Sequence, residues 1–256
     1  FRVYGNTWYV GTRGLSAMLI TSPAGHVLID GGLPESAPLI AASIRALGFK
    51  LEDVKLLLNS HAHFDHAGGL AALQRASGAE VVLHPWSAKV LRMGTSLPDD
   101  PQFGLYLPFP GVRAARELTD RQVLRLGDIA LTAHFTGGHT PGGTSWTWRS
   151  CDGGTCWDMV YADSQSPISE DGFKFTGSTR YPSGIADFER GHARIESLPC
   201  DVLIVPHPGL VSLFDKLARR DAGNANALRN PSACREYAAM ARQRLAERLG
   251  KERGGK

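Results

Sequence analysis

Four side chains able to bind a metal fall within six positions of this chain: His61, His63, Asp65 and His66, in the stretch Asn59-Ser60-His61-Ala62-His63-Phe64-Asp65-His66-Ala67-Gly68-Gly69. Imidazole nitrogen and carboxylate oxygen are the donors that zinc accepts in four- or five-coordinate sites. Ionisable groups crowded onto one loop add nothing to stability unless they share a cation. Alternate side chains of an extended backbone share a face, which sets His61 beside His63. The loop must then curl for Asp65 and His66 to reach a second point nearby, so the stretch can seed two metal sites.

The flanks say what positions this loop. The apolar run Val54-Lys55-Leu56-Leu57-Leu58 precedes it and Leu70-Ala71-Ala72-Leu73 follows, so the context is strand, tight loop, helix, with Gly68 and Gly69 easing the turn. The first thirty residues alternate apolar and polar positions between turn signals, which predicts a meander with strands at 8–10, 17–20 and 26–29, closed by Asp30-Gly31-Gly32. A helical period over 34–47 stops at Gly48, and a helix to about 76 leads to a strand at 80–83. Residues 94–111 hold four prolines among Phe103, Leu105, Tyr106, Leu107 and Phe109, and are expected to form an irregular packed loop lining one wall of the site. Strands follow at 122–126, 129–136, 144–149 and 157–161, then a helix at 185–197, a strand at 201–205 and helices to the end. The last of these, 237–248, reads as half-solvated, and 254–256 as frayed. This order favours layered α/β packing in one domain, 1–256, with pseudo-halves of about 1–115 and 116–256 and no sequence repeat between them.

With 256 residues, 43% hydrophobic and 21% charged, the chain is long enough for a sizeable core and ordinary for a soluble globular protein. The net charge of +3 is spread along the chain, which speaks against a nucleic-acid footprint, and runs such as Val202-Leu203-Ile204-Val205 are far too short to cross a membrane. The start, Phe1-Arg2-Val3-Tyr4, is strand-like and shows no signal peptide, so the sequence is expected to begin inside a mature protein. Four cysteines allow three pairings. Cys151 and Cys156 lie between two strand-like runs and suit a bridge at a hairpin tip, leaving Cys200 with Cys234, while four reduced thiols in a cytosolic protein are the bland alternative. Two bridges imply an oxidising compartment such as a bacterial periplasm.

Two more histidines have suggestive surroundings. His139 sits in Gly137-Gly138-His139-Thr140-Pro141-Gly142-Gly143 after an apolar strand, and His207 in Pro206-His207-Pro208-Gly209 after the run 202–205. His26, His84, His134 and His192 lack such context and read as ordinary core or surface histidines.

His61-Ala62-His63-Phe64-Asp65-His66 resembles the H-x-H-x-D-H signature of the metallo-β-lactamase superfamily, and Gly138-His139-Thr140-Pro141-Gly142 and Pro206-His207-Pro208-Gly209 resemble its later motifs. The resemblance covers about residues 8–249. It implies a four-layer αββα sandwich and two Zn2+ ions, one held by His61, His63 and His139, the other by Asp65, His66 and His207. A histidine at position 63, where di-iron relatives carry glutamate, favours zinc. Asp30 matches an aspartate that holds the metal loop from behind.

Tyr161-Ala162-Asp163-Ser164-Gln165-Ser166 separates branches of the superfamily. It resembles the A-D-S-x-S pattern of subclass B3, in which Ser164 replaces the metal-bridging aspartate of thioesterases and lactonases and the histidine at position 66 serves as a ligand instead. If Asp163 faced the metals, the thioesterase or lactonase reading would revive. Residues 143–148, 198–203 and the Cys200, Cys234 pair point the same way, whereas the tyrosine that some relatives place soon after the two serines is missing from 167–173. The implied activity is zinc-dependent opening of the β-lactam amide of penicillins, cephalosporins and carbapenems, conferring antibiotic resistance. In it Asp65 is a ligand that also orients the nucleophile, and Ser164 and Ser166 hold the substrate carboxylate. The alternatives are a glyoxalase II-like thioesterase, a lactonase, or a zinc-binding scaffold without turnover. A periplasmic monomer is expected, with small-molecule β-lactam substrates and no nucleic-acid or membrane partner.

Overall fold

The computed structural model describes residues 1–254. Its first sheet has seven strands, in the order β1 (Arg2–Tyr4), β2 (Thr7–Tyr9), β3 (Met18–Ser22), β4 (Gly25–Ile29), β5 (Val54–Leu58), β6 (Glu80–Leu83) and β7 (Arg116–Glu117). Pairing is antiparallel from β1 to β4 and parallel from β4 to β7. The parallel half needs crossovers, and α1 (Ala37–Ala46), the short α2 (Phe64–Ala67), α3 (Leu70–Ser77) and α4 (Pro85–Met93) supply them. The second sheet has the order β12-β11-β10-β9-β8, built from β8 (Val123–Leu126), β9 (Ile129–Phe135), β10 (Thr144–Asp152), β11 (Thr155–Tyr161) and β12 (Val202–Ile204). Helix α5 (Gly184–Glu196), α6 (Leu213–Asp221) and α7 (Ala233–Gly254) complete the chain.

Strand periodicity explains the four layers. Met18, Ile20, Val27, Ile29, Leu56 and Leu58 turn one way and meet Trp146, Met159, Tyr161, Val202 and Ile204 between the sheets. Their alternates Leu19, Leu28 and Leu57 turn the other way and pack under Ile40, Ile44, Leu70 and Leu73 of α1 and α3. Across the sandwich, Val160 and Leu203 face Ile195 of α5 and Tyr237 of α7. Val27–Ile29, Leu56–Leu58, Met159–Tyr161 and Val202–Ile204 are thus buried on both faces, so they read as continuous apolar runs. Burying a side chain such as Leu57 or Ile29 contributes roughly 1.5–3 kcal/mol.

Most expected elements are present with ends shifted by a few residues. No element is expected at 84–93, where α4 forms: the His84 Nδ1 accepts from the Trp86 N–H at 3.0 Å, Pro85 occupies the first turn, and Gly94 ends the helix at φ 69°. The strands β10 and β11 run further than expected, so Cys151 and Cys156 face each other across the ladder and the Gly153-Gly154 turn lies beyond them. Both expected bridges, Cys151–Cys156 and Cys200–Cys234, are formed. Gly254 still belongs to α7, and the rest of the tail expected to fray, 255–256, lies outside the described residues.

The bridges close loops of different length, five residues apart in one case and 34 in the other. Replacing both Cys200 and Cys234 by Ala is expected to lower the unfolding free energy by about 3–4 kcal/mol, against roughly 2 for the Cys151, Cys156 pair. Urea titration of the two double variants measures this, and a larger loss at the hairpin would contradict it.

His192 on α5 is 1% exposed, beside Phe188, and neither ring nitrogen has a partner. Burial, helped by the charge of Arg242, pushes its imidazole down to about 4. The unfolded chain titrates near 6.5, so between these values it binds a proton that the folded protein refuses, and stability falls as pH falls through that window. His192→Leu is expected to flatten this slope by up to about 1.4 kcal/mol per pH unit. Urea midpoints at pH 7, 6 and 5 test it, an unchanged slope being the contrary result.

Candidate metal centre

Four segments converge at one end of the sandwich. The metal loop leaves the end of β5, His139 follows β9, Asp163 and Ser164 follow β11, and His207 follows β12. Short-range contacts pin these segments together. The Thr144 N–H donates to the Ser60 carbonyl at 2.7 Å, Trp146 Nε1 to the Asn59 carbonyl at 3.1 Å, and the Ser16 hydroxyl to the Val205 carbonyl at 2.8 Å. Gly69 is required because a Cβ there would lie 2.2 Å from the Gly31 carbonyl oxygen.

The ligand atoms of His61, His63 and His139 lie within 4.8 Å of one another, and so do those of His61, Asp65 and His66. Asp65 and His66 reach this point because 64–67 turns into α2 rather than staying extended. His207 stands beside the second group, its Nε2 3.3 Å from His66 Nε2 and 3.7 Å from Asp65 Oδ2. All six expected side chains are therefore gathered, with His61 between the two groups.

Each histidine of the first group has its outward nitrogen tied to an acceptor. His61 Nδ1 donates to Asp163 Oδ1 at 2.8 Å, His63 Nε2 to Asp100 Oδ1 at 3.2 Å, and His139 Nδ1 to the Ser166 carbonyl at 2.7 Å. Such bonds fix the tautomer and aim the other nitrogen inward. His61 Nε2 is buried with no partner, the condition of a lone pair that a cation would take up.

Electrostatics agree with a cation site. Burial and the surrounding imidazoles hold His61 well below its ordinary range, and burial with the neighbouring His63 pushes His139 down to about 3, so both stay neutral and able to ligate. Burial pushes Asp65 up, but the His66 hydrogen bond and the charges of His66, His63 and His207 outweigh it and hold the carboxyl below the usual carboxylate range. Burial pushes Asp163 well above that range. A cation on His61 is what would make the carboxylate form of Asp163 favourable. The donor set, imidazole and carboxylate in a buried cluster, fits divalent zinc-type ions.

A family model described as the metallo-beta-lactamase superfamily matches residues 10–222. The chain belongs to the metallo-β-lactamase superfamily. Among solved structures, the Rm3 metallo-beta-lactamase is 53% identical with a TM-score of 0.97, the match covering 99% of this chain and 94% of that one. MEM-A1, a subclass B3 enzyme from a soil metagenome library, is 50% identical over 100% of this chain and 97% of its own, also with a TM-score of 0.97. A hydroxyacylglutathione hydrolase of Anaeromyxobacter dehalogenans is 32% identical over 131 residues, 51% of this chain. The match spans 41% of that curated relative's length.

Against this superfamily frame, the partners behind the ligands were not legible beforehand, apart from Asp30. That aspartate accepts from Asn59 Nδ2, the Ser60 N–H, the Ser60 hydroxyl and the Tyr161 hydroxyl, all at 2.7–2.9 Å. Asp100 comes from the irregular loop expected to line the site, as do Gln102, whose Nε2 is 3.4 Å from His139 Nε2, and Tyr106, which donates to Gln102 and stacks on Phe64. The one signal for them was a loop rich in prolines and apolar side chains that had to pack on something. Asp163 has its Oδ1 on His61 Nδ1, and Gly143 must be glycine because a Cβ would lie 2.3 Å from Asp163 Oδ2.

Asp163→Ala removes the acceptor that sets the His61 tautomer. It is expected to weaken the tightest metal by about 10- to 100-fold with the fold retained. Competition with a chromophoric chelator, alongside circular dichroism, measures this, and wild-type affinity in the variant would disprove the role.

Proposed function

We propose that this protein is a subclass B3 metallo-β-lactamase that uses two zinc ions to hydrolyse the lactam amide of penicillins, cephalosporins and carbapenems. The observation that carries the reading is the placement of Asp163. Its Oδ1 is engaged by His61 Nδ1, behind the ligands, which leaves Ser164 at the position where thioesterases and lactonases of the superfamily use a bridging aspartate. High identity over nearly the whole length of two metallo-beta-lactamases of solved structure supports the same choice.

In this reading His61, His63 and His139 hold one ion and Asp65, His66 and His207 the other. Divalent metal supplies Lewis acidity and lowers the pKa of water, so that a nucleophile is available at neutral pH. Asp65, kept ionised, orients the attacking water. Asp163, Asp100 and the Ser166 carbonyl keep three imidazoles aimed while charge develops on the carbonyl oxygen, so no reorganisation is needed at that moment. The hydroxyls of Ser164 and Ser166 donate to the substrate carboxylate and orient the ring. As the C–N bond breaks, the nitrogen takes up a proton and the opened acid leaves.

Two disulfides argue for an oxidising compartment, and we place the protein in the periplasm. One chain provides all six ligands, so a monomer suffices. Among the described residues no helix is long and apolar enough to cross a membrane.

Nitrocefin and meropenem hydrolysis, compared with a thioester and a homoserine lactone, tests the proposal. Lactam turnover is expected to stop with EDTA and return with zinc, and His139→Ala should lose at least ~100-fold. Faster cleavage of the thioester or the lactone would favour the hydroxyacylglutathione hydrolase or lactonase reading, and zinc binding without turnover the scaffold. Ser164→Ala removes one charge-assisted hydrogen bond and should lower kcat/KM by roughly 10- to 100-fold through KM. An unchanged KM would remove Ser164 from substrate binding.

A further inference from the structure

Two loops far apart in sequence supply the acceptors behind His63 and His139: Asp100 from one, the Ser166 carbonyl from the other. Neither segment belongs to a helix or a strand, so no ladder of backbone bonds holds it in place. Arg180 does that work. Its Nε donates to the Pro98 carbonyl at 2.6 Å, one terminal nitrogen to the Asp100 carbonyl at 2.9 Å, and the other to Glu170 Oε1 at 2.9 Å. Glu170 closes the strap, because its N–H donates to the Pro101 carbonyl at 2.9 Å and its Oε2 accepts from the Gly172 N–H at 2.8 Å. The guanidinium carbon lies 5.7 Å from the Phe103 ring and 5.3 Å from the Phe173 ring, one from each loop.

We propose that Arg180 is a positioning residue of the metal centre, holding the Asp100 carboxylate on His63 by fixing the backbone of 98–100 against the 170–173 loop. All three of its hydrogen bonds go to the two loops, so it acts through Asp100 and not by touching the ligands. A planar fork suits three acceptors in fixed directions, and a lysine ammonium cannot reproduce it. The Asp100 side chain depends on its main chain for aim, since it also accepts the Gln102 N–H at 2.8 Å within the same turn. The inference rests on reading His61, His63 and His139 as a metal site.

The test measures zinc retention by chelator competition in wild-type protein, Arg180→Ala, Arg180→Lys, Asp100→Ala and the Arg180→Ala, Asp100→Ala double variant, with urea midpoints taken in parallel. Both Arg180 variants are expected to release the tightest zinc with about 10-fold lower affinity, and the double variant to be no weaker than Asp100→Ala alone. Arg180→Lys carries the test if Arg180→Ala does not fold. A lowered urea midpoint with wild-type zinc affinity would make Arg180 merely structural and overturn the proposal, as would effects that multiply in the double variant. If His139→Ala still binds two zinc ions with wild-type affinities, the reading of His61, His63 and His139 as a metal site falls, and this inference with it.

Discussion

A carboxylate with no access to water must find its hydrogen bonds inside the protein, and the arrangement around Asp30 follows from that requirement. Burial pushes its carboxyl above the usual range, and four donors from the metal loop and β11 answer it. Tyr161, whose hydroxyl is held far above its ordinary range by burial and by Asp30, keeps its proton and remains a donor. Loss of one hydrogen bond to a buried charged group costs about 1.5–3 kcal/mol, so the end of β4, the start of the metal loop and the end of β11 are locked as a unit. Asp30 has a left-handed backbone, φ 65°, which a short polar side chain tolerates and which turns its carboxylate back toward Ser60.

From that lock the positions of the ligands follow. Both sheets bury both faces of their central strands, so their ends are rigid, and loops leaving those ends inherit that rigidity over the first few residues. His61 comes three residues after β5 and His207 three after β12. His139 lies four residues beyond β9, and it needs the Ser166 carbonyl and the glycines around it to be held.

The same logic divides what could be read in the sequence from what could not. The ligands of the metal loop were legible because four of them crowd into one short stretch, and a local pattern survives without knowledge of the fold. Layered packing was legible because helical periods and apolar strands alternate along the chain, as in 54–83, and the four layers because the motifs resemble a known fold. Helix α4 was missed because its cap is His84, whose imidazole stands in for the usual Ser, Thr, Asp or Asn. Asp163 pairs with His61 across 102 positions, Asp100 with His63 across 37, and nothing in the spacing of either announces a partner. Sequence showed which atoms could bind a metal, while the atoms that aim them depend on tertiary contacts that no period encodes.

Those aiming contacts are unevenly distributed, and the unevenness has a chemical meaning on the proposed reading. His61, His63 and His139 are buried, and each has an acceptor on its outward nitrogen. In the second group, His66 Nδ1 is 3.9 Å from Asp30, beyond hydrogen-bond reach, and has no partner, and the His207 side chain is 44% exposed. Orienting bonds raise ligand basicity and remove rotamer freedom before the metal arrives, so the first trio binds with less entropy to lose. The second group depends on Asp65 and on electrostatic attraction, which solvent at His207 weakens. A firmly aimed trio beside a less constrained group would suit a hydrolase on that reading, because Asp65, His66 and His207 could adjust as substrate binds, which side chains tied like those of the first trio would resist.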